Sequence, residues 1–124
     1  MINQHAQAAL LAQIRPGDTS ATLAFTAPDG IRVEVTKVIA CNTSGAARAI
    51  RVFHDDSGGS TFDETTALWW DQAVPADESF VVCSEDTGNG ITLQGGGQLA
   101  VRSDLASGVT FSIYGVAEHR APVY

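Results

Sequence analysis

The residues with the clearest chemical potential lie in and around one polar loop. His54, Asp55 and Asp56 end a strand-like run, and Asp63 and Glu64 follow at the far end of the same glycine-containing loop. Four carboxylates and an imidazole could surround a cation, and an oxygen-rich set of this kind suits Ca²⁺. The spacing lacks the alternating oxygen ligands of a calcium loop, and no second histidine is close in sequence for a transition metal. The sequence therefore favours a solvated acidic loop, with a structural or adventitious Ca²⁺ on these four carboxylates as the alternative.

Other patterns that carry chemistry are weak in this sequence. It contains no Gly-x-Ser-x-Gly nucleophile motif. Cys41 and Cys83 lie in apolar strand-like runs, which predicts two reduced core thiols, with a bridge between facing sheets as the alternative. The glycines at 95–97 lead into a strand-like run rather than into the helix that a phosphate-binding loop requires, so we predict a tight corner there. We expect no catalytic residues, no resident metal and no cofactor.

Two adjacent tryptophans, Trp69 and Trp70, form a second candidate site. Neighbouring residues in a strand point to opposite faces, so one ring should lie in the core and the other outside. The outward ring could stack on a sugar beside Asp71 and Gln72. It could also be covered by a neighbouring subunit, because large aromatic side chains are enriched at the centres of interfaces.

The rest of the chain predicts a β scaffold for these residues. After residue 18, short runs of alternating apolar residues are separated by clusters of Gly, Asp, Asn and Ser, which is typical of an all-β fold. We predict an antiparallel β-sandwich, jelly-roll or Ig-like, with seven or eight strands in two sheets. In the long run from residue 31 to 41 the alternation slips around Lys37, which predicts a β-bulge near residues 36 to 38.

The two ends differ from the centre. Apolar residues recur at helical spacing before the Pro16-Gly17 breaker, which predicts a short N-terminal helix or docking arm over residues 1–18. The sandwich domain is then predicted over residues 19–120, with a tail at 121–124. The first residues lack the features of a signal peptide, and no segment approaches the ~20 apolar residues of a membrane span, so we expect no membrane association.

Size and charge narrow the functional classes. The chain has 124 residues, enough for one domain. Seven Lys and Arg against fourteen Asp and Glu give a net charge of −7. This balance argues against a protein that binds nucleic acid through its phosphates.

The order of these segments resembles that of small β-sandwich structural proteins of tailed-bacteriophage virions, including capsid decoration, head-fibre and tail-associated proteins. The similarity runs from about Thr22 to Glu118. It is carried by the segments at 25–30, 41–45, 51–56, 67–70, 74–79, 97–101 and 109–118.

The resemblance implies a non-enzymatic virion component that is assembled in the cytoplasm of the bacterial host. It would dock on the major capsid protein or another virion protein as a homotrimer or other homo-oligomer. Outward apolar side chains would form the contacts, and the candidate interface residues are Trp69, Trp70, Tyr114 and Val116. The alternative is a carbohydrate-binding module such as the receptor-binding tip of a tail fibre, and a small hydrolase or metal-dependent enzyme is the least favoured hypothesis.

Overall fold

The computed structural model describes residues 9–84 and 90–119, and the regular elements in these ranges are nine β-strands. They are β1 (Ala9–Ile14), β2 (Thr22–Thr26), β3 (Ile31–Asn42), β4 (Arg48–Asp55), β5 (Ala67–Val74), β6 (Ser79–Ser84), β7 (Ile91–Leu93), β8 (Gln98–Ser103) and β9 (Val109–His119). Within these ranges no helix is long and apolar enough to span a bilayer. The first eight residues of the predicted arm, and the predicted tail at 121–124, lie outside the described residues.

The strands form two antiparallel sheets that pack against each other. The strand order is β1-β9-β3-β6 in sheet A, where β7 also pairs with β3, and β2-β8-β4-β5 in sheet B. Apolar side chains from both sheets fill the space between them, among them the fully buried Val33, Phe111, Ile50 and Leu99. The predicted antiparallel β-sandwich is confirmed, and the strand beyond the predicted eight is β1.

The predicted N-terminal helix is wrong for Ala9–Ile14, which form the edge strand β1 of sheet A. The helix preference of Ala, Leu and Gln amounts to only tenths of a kcal/mol per residue, about 0–0.7, so tertiary packing overrides it. Pairing with β9 satisfies the backbone, while Leu11, Ala12 and Ile14 pack against the core. A register shift leaves Leu11 as an extra residue, which lets two consecutive side chains contact the core. This segment is therefore part of the sandwich.

The predicted β-bulge in β3 is confirmed at Thr36. The register of β3 against β9 shifts between Val35 and Lys37, so Thr36 is the extra residue. Val35 before the bulge and Val38 after it are both fully buried, whereas Lys37 is exposed. The Thr36 hydroxyl donates a hydrogen bond of 3.3 Å to the carbonyl oxygen of Tyr114, which satisfies the polar group that the bulge buries.

A fully buried amide, Asn42, ties the two sheets together at one end. The hydrogens on its Nδ2 are shared among the carbonyl oxygens of Ala46, Val74 and Pro75, at 2.8, 3.0 and 3.1 Å. Its Oδ1 accepts hydrogen bonds from the N–H and the hydroxyl of Ser44. Because Asn42 ends β3 of sheet A and Val74 ends β5 of sheet B, this one side chain closes the gap between the sheets.

Both cysteines belong to sheet A, Cys41 in β3 and Cys83 in β6. Cys41 is a free thiol and is half-buried. The bridge between facing sheets, which was the alternative from sequence, is therefore not formed.

Gly115 occupies a position in β9, between β1 and β3, where no larger residue fits. A Cβ atom there would overlap the carbonyl oxygen of Glu34 and would lie 2.9 Å from Cδ1 of Leu11. We expect Gly115→Ala to lower the free energy of unfolding by about 1–3 kcal/mol, the usual cost of overpacking a core, as measured by urea denaturation. Gly17→Ala is the control, because a Cβ atom there has no neighbour within 4 Å. Equal stability of the two variants would contradict the packing of β1, β9 and β3.

Candidate functional site

The loop between β4 and β5 folds back over the outer face of sheet B. Val52 belongs to the core between the sheets, so its neighbour Phe53 points to the outer face. Phe53 is nevertheless only 2% exposed, because Phe62 from the loop packs on it with ring centroids 6.3 Å apart. The Ser60 N–H donates to Oε1 of Gln98 at 2.7 Å, and Nε2 of Gln98 donates to the Ser60 hydroxyl at 3.0 Å. The loop thus forms a second, small core on the outside of sheet B.

Two carboxylates of the predicted calcium set organise this loop. Asp55 accepts hydrogen bonds from the N–H and hydroxyl of Ser57 and from the N–H of Thr61. The Ser57 hydroxyl, followed by the Thr61 N–H, holds the pKa of Asp55 below its ordinary value of 3.8. At the other end of the loop, the hydroxyl and N–H of Thr65 bind Asp63 and lower its pKa in the same way.

The other two members of the predicted calcium set lie apart from each other. Oδ1 of Asp56 is 3.1 Å from Nε2 of His54 and accepts a 3.1 Å hydrogen bond from the N–H of Gln94, which joins the loop to the β7–β8 turn. Glu64 lies beside Trp70. Among the residues that the structure describes, no three His, Cys, Asp or Glu side chains form a group that could hold a metal ion. Calcium binding stays a prediction, and the described residues contain no cluster of ligands that would support it.

The two tryptophans point to opposite faces of sheet B, as predicted. Trp69 is opposite Val52 in the register of β4 and β5, and it packs against the core between the sheets. Trp70 lies on the outer face with 44% of its surface exposed. Trp70 is therefore the member of the pair that is accessible to a partner.

Trp70 is held in place by Arg51 and Phe53, and Asp71 in turn fixes Arg51. The guanidinium carbon of Arg51 lies 3.5 Å from the centroid of the indole. Nε and Nη2 of Arg51 donate to the two carboxylate oxygens of Asp71 at 2.7 and 3.2 Å, and this contact lowers the pKa of Asp71. The rings of Phe53 and Trp70 meet edge to face, with centroids 6.2 Å apart.

A β-bulge produces this arrangement, which we call the Arg51–Trp70–Asp71 cluster. The register of β5 against β4 shifts here, so Trp70 and Asp71 together stand opposite Arg51. Asp71 has φ of 56°, a conformation that Asp tolerates better than most residues. Stacking and the bidentate ion pair have already restricted these side chains, so the cluster would lose little conformational freedom on binding a partner.

The other two predicted interface residues lie on the far side of the sandwich. Tyr114 and Val116 alternate along β9 with the buried Ile113 and Gly115, so they point to the outer face of sheet A and are half-buried there. The predicted set therefore does not form one surface. Trp69 packs against the core, Trp70 lies outside sheet B, and Tyr114 and Val116 lie outside sheet A.

Arg51 is the functional candidate that sequence reasoning missed. It precedes its partner Asp71 by twenty residues, and no local pattern links the two. Opposite charges that face each other across neighbouring strands indicate such a pair. For Arg51 and Asp71 this pairing can be recognised only when the register of β4 and β5 is known.

Comparisons with protein-family models, curated proteins and solved structures found no match.

We expect the loop carboxylates to make the fold less stable in acid. The pKa of Asp55 is lowered in the folded chain, so its contribution to stability is complete above the ordinary value of 3.8 and is lost as the pH falls through the lowered value. Asp55→Asn should melt below the wild type at about pH 6, and the difference should shrink toward about pH 2 when melting is followed by circular dichroism. Asp29→Asn, at an exposed turn, is the control and should follow the wild type. A difference that does not change with pH would count against this role of Asp55.

Proposed function

We propose that this chain is a non-enzymatic structural component of a tailed-bacteriophage virion. It binds the major capsid protein or another virion protein as a decoration or head-associated protein. The order of its segments supports this proposal through the resemblance described above. The observation that carries it is the exposed Arg51–Trp70–Asp71 cluster on a rigid sheet face.

The composition of the cluster suits a protein–protein contact. Tryptophan and arginine are the residues that most often dominate binding energy at interfaces, and they do so when neighbouring contacts hold them in place. Trp70 stacks on Arg51 and meets Phe53 edge to face. The net charge of −7 favours solubility of a protein that is made in many copies before assembly.

Docking on the particle should depend on Trp70. Because this side chain is exposed, Trp70→Ala should remain folded, and it should weaken binding by about 2 kcal/mol, roughly 30-fold, as expected for an interface hot spot. The measurement is co-sedimentation with particles of the parent phage that lack the chain. Leu68→Ala is the control, since Leu68 lies in the same strand with 43% exposure, close to the 44% of Trp70. Unchanged binding of Trp70→Ala, or absence of the chain from purified particles, would overturn the proposal.

A second candidate function, carbohydrate binding, is favoured by a hollow beside the cluster. Trp70, Glu64 and Ala67 line an open space of about 320 Å³. An indole can stack on the apolar face of a pyranose ring, while a carboxylate such as that of Glu64 accepts hydrogen bonds from sugar hydroxyls. The aromatic platform and the carboxylate needed for such a contact are therefore both at the rim of one hollow.

Sugar titration separates the two candidates. A saturable change of tryptophan fluorescence on adding a sugar, lost in both Trp70→Ala and Glu64→Gln, would support the carbohydrate function. Glu78→Gln is a matched control, because Glu78 is exposed in the turn between β5 and β6, beyond the opposite end of β5 from Glu64. Absence of binding on a glycan array, together with Trp70-dependent binding to particles, would exclude the carbohydrate function in favour of virion docking.

A further inference from the structure

We propose that the outer face of sheet A is a self-association surface, on which a second copy of the chain packs face to face about a two-fold axis. A virion component of the proposed kind is expected to be a homo-oligomer, and the inference rests on the proposed function in that respect. It adds the surface through which the copies bind each other. The surface lies on the opposite side of the sandwich from the Arg51–Trp70–Asp71 cluster.

Strand register defines the rows of side chains on this face. Each row consists of residues that pair with each other across neighbouring strands of sheet A. The first row contains Leu10, Tyr114 and Lys37, and the second contains Gln13, Ser112, Ile39 and Val81. The third row contains Val116, Glu34 and Thr92. A hydrogen bond of 2.9 Å from Nε2 of Gln13 to Oγ of Ser112 confirms that the second row points outward. We call these three rows the sheet A face.

The sheet A face carries strongly exposed apolar side chains. Leu10 is 51% and Val81 is 47% exposed, and these are the two most exposed large apolar side chains among the described residues. Ile39, Tyr114 and Val116 lie between them, half-buried. Every row therefore contains at least one apolar side chain, and contiguous apolar patches of this kind are typical of interaction sites.

The charges on this face favour a second copy as the occupant. Of the residues in the three rows, only Lys37 and Glu34 carry a charge, one of each sign, whereas the whole chain carries −7. Two copies repel each other through most of their surface, but this face adds no net charge. In a two-fold interface residue i meets residue j, and j meets i. Lys37 of each copy can therefore face Glu34 of the other.

Their positions in the strand allow this exchange. Glu34 and Lys37 lie on the same face of β3 in neighbouring rows because the extra residue at Thr36 stands between them. Lys37 is exposed, and its Nζ lies 6.0 Å from the ring centroid of Tyr114, which holds the cation above the face. A crossing of two β3 strands near Thr36 would bring both ion pairs together.

The extent of the face predicts a weak dimer. Four strands spaced about 4.8 Å apart, over the roughly six residues that three rows span at about 3.3 Å each, give an area on the order of 400 Å². Stable complexes bury about 800 Å² on each partner. We therefore expect a reversible dimer that depends on protein concentration.

Sedimentation equilibrium of the full chain, over a range of concentrations, tests the surface. The wild type should show a monomer–dimer equilibrium. Val81→Lys, which adds a charge to the sheet A face, should weaken dimerisation at least tenfold. Leu23→Lys is the matched control, because Leu23 is 43% exposed but lies in sheet B, and it should dimerise like the wild type. Circular dichroism verifies that both variants are folded.

Charge exchange makes the test sharper. Lys37→Glu and Glu34→Lys, each alone, place like charges opposite each other and should weaken the dimer. The double variant restores opposite charges and should recover the dimer, which a general loss of stability would not produce. A wild type that is monomeric at all concentrations or trimeric, an effect of Leu23→Lys equal to that of Val81→Lys, or no recovery in the double variant would overturn the proposal. Because these measurements use the purified chain, they are independent of binding to particles, which tests the proposed function.

Discussion

The β-bulge at Thr36 controls which side chains of β3 face the core, and through β3 the arrangement of the sandwich. Side chains alternate along a strand, so the phase set by Val35 would otherwise bury Lys37 and expose Val38. An unpaired charge in an apolar core is strongly unfavourable. The extra residue shifts the phase by one, so both halves of β3 present valines to sheet B. Since β3 pairs with β6, β7 and β9, these three strands are in register with a strand that has its core-facing and outward side chains on opposite faces.

Bulges also determine what the two outer faces offer to partners. In sheet A the shift at Thr36 places Lys37 and Glu34 in neighbouring rows among apolar side chains. In sheet B a shift in β5 places Trp70 and Asp71 together opposite Arg51. One face thus carries a fixed aromatic and ionic cluster, and the other carries exposed apolar side chains with one charge of each sign. A molecule with two distinct faces can bind a particle through one and a second copy through the other, as we propose.

Polar side chains in the loops and at the ends of strands form the hydrogen bonds that the sheets themselves do not supply. Asp55 and Asp63 fold the long loop through hydrogen bonds to nearby hydroxyl and N–H groups, and Phe62 of the loop then covers Phe53 on the outer face of sheet B. Asn42 satisfies carbonyl groups of three residues and joins the sheets. Two of the four carboxylates that first suggest a calcium site, those of Asp55 and Asp63, thus accept hydrogen bonds that shape the loop.

The sequence by itself determined the strands after residue 18, the bulge near Lys37 and the outward direction of Tyr114, because these features depend on neighbours one or two positions apart. It failed for β1, since a short run rich in Ala and Leu fits a helix as well as a strand. Contacts such as Gln13 with Ser112, 99 residues apart, decided in favour of the strand. Only the tertiary structure could place Trp70 beside Arg51 and on the opposite side from Tyr114. Strand order and register arise from burial and pairing over the whole chain, and no local spacing encodes them.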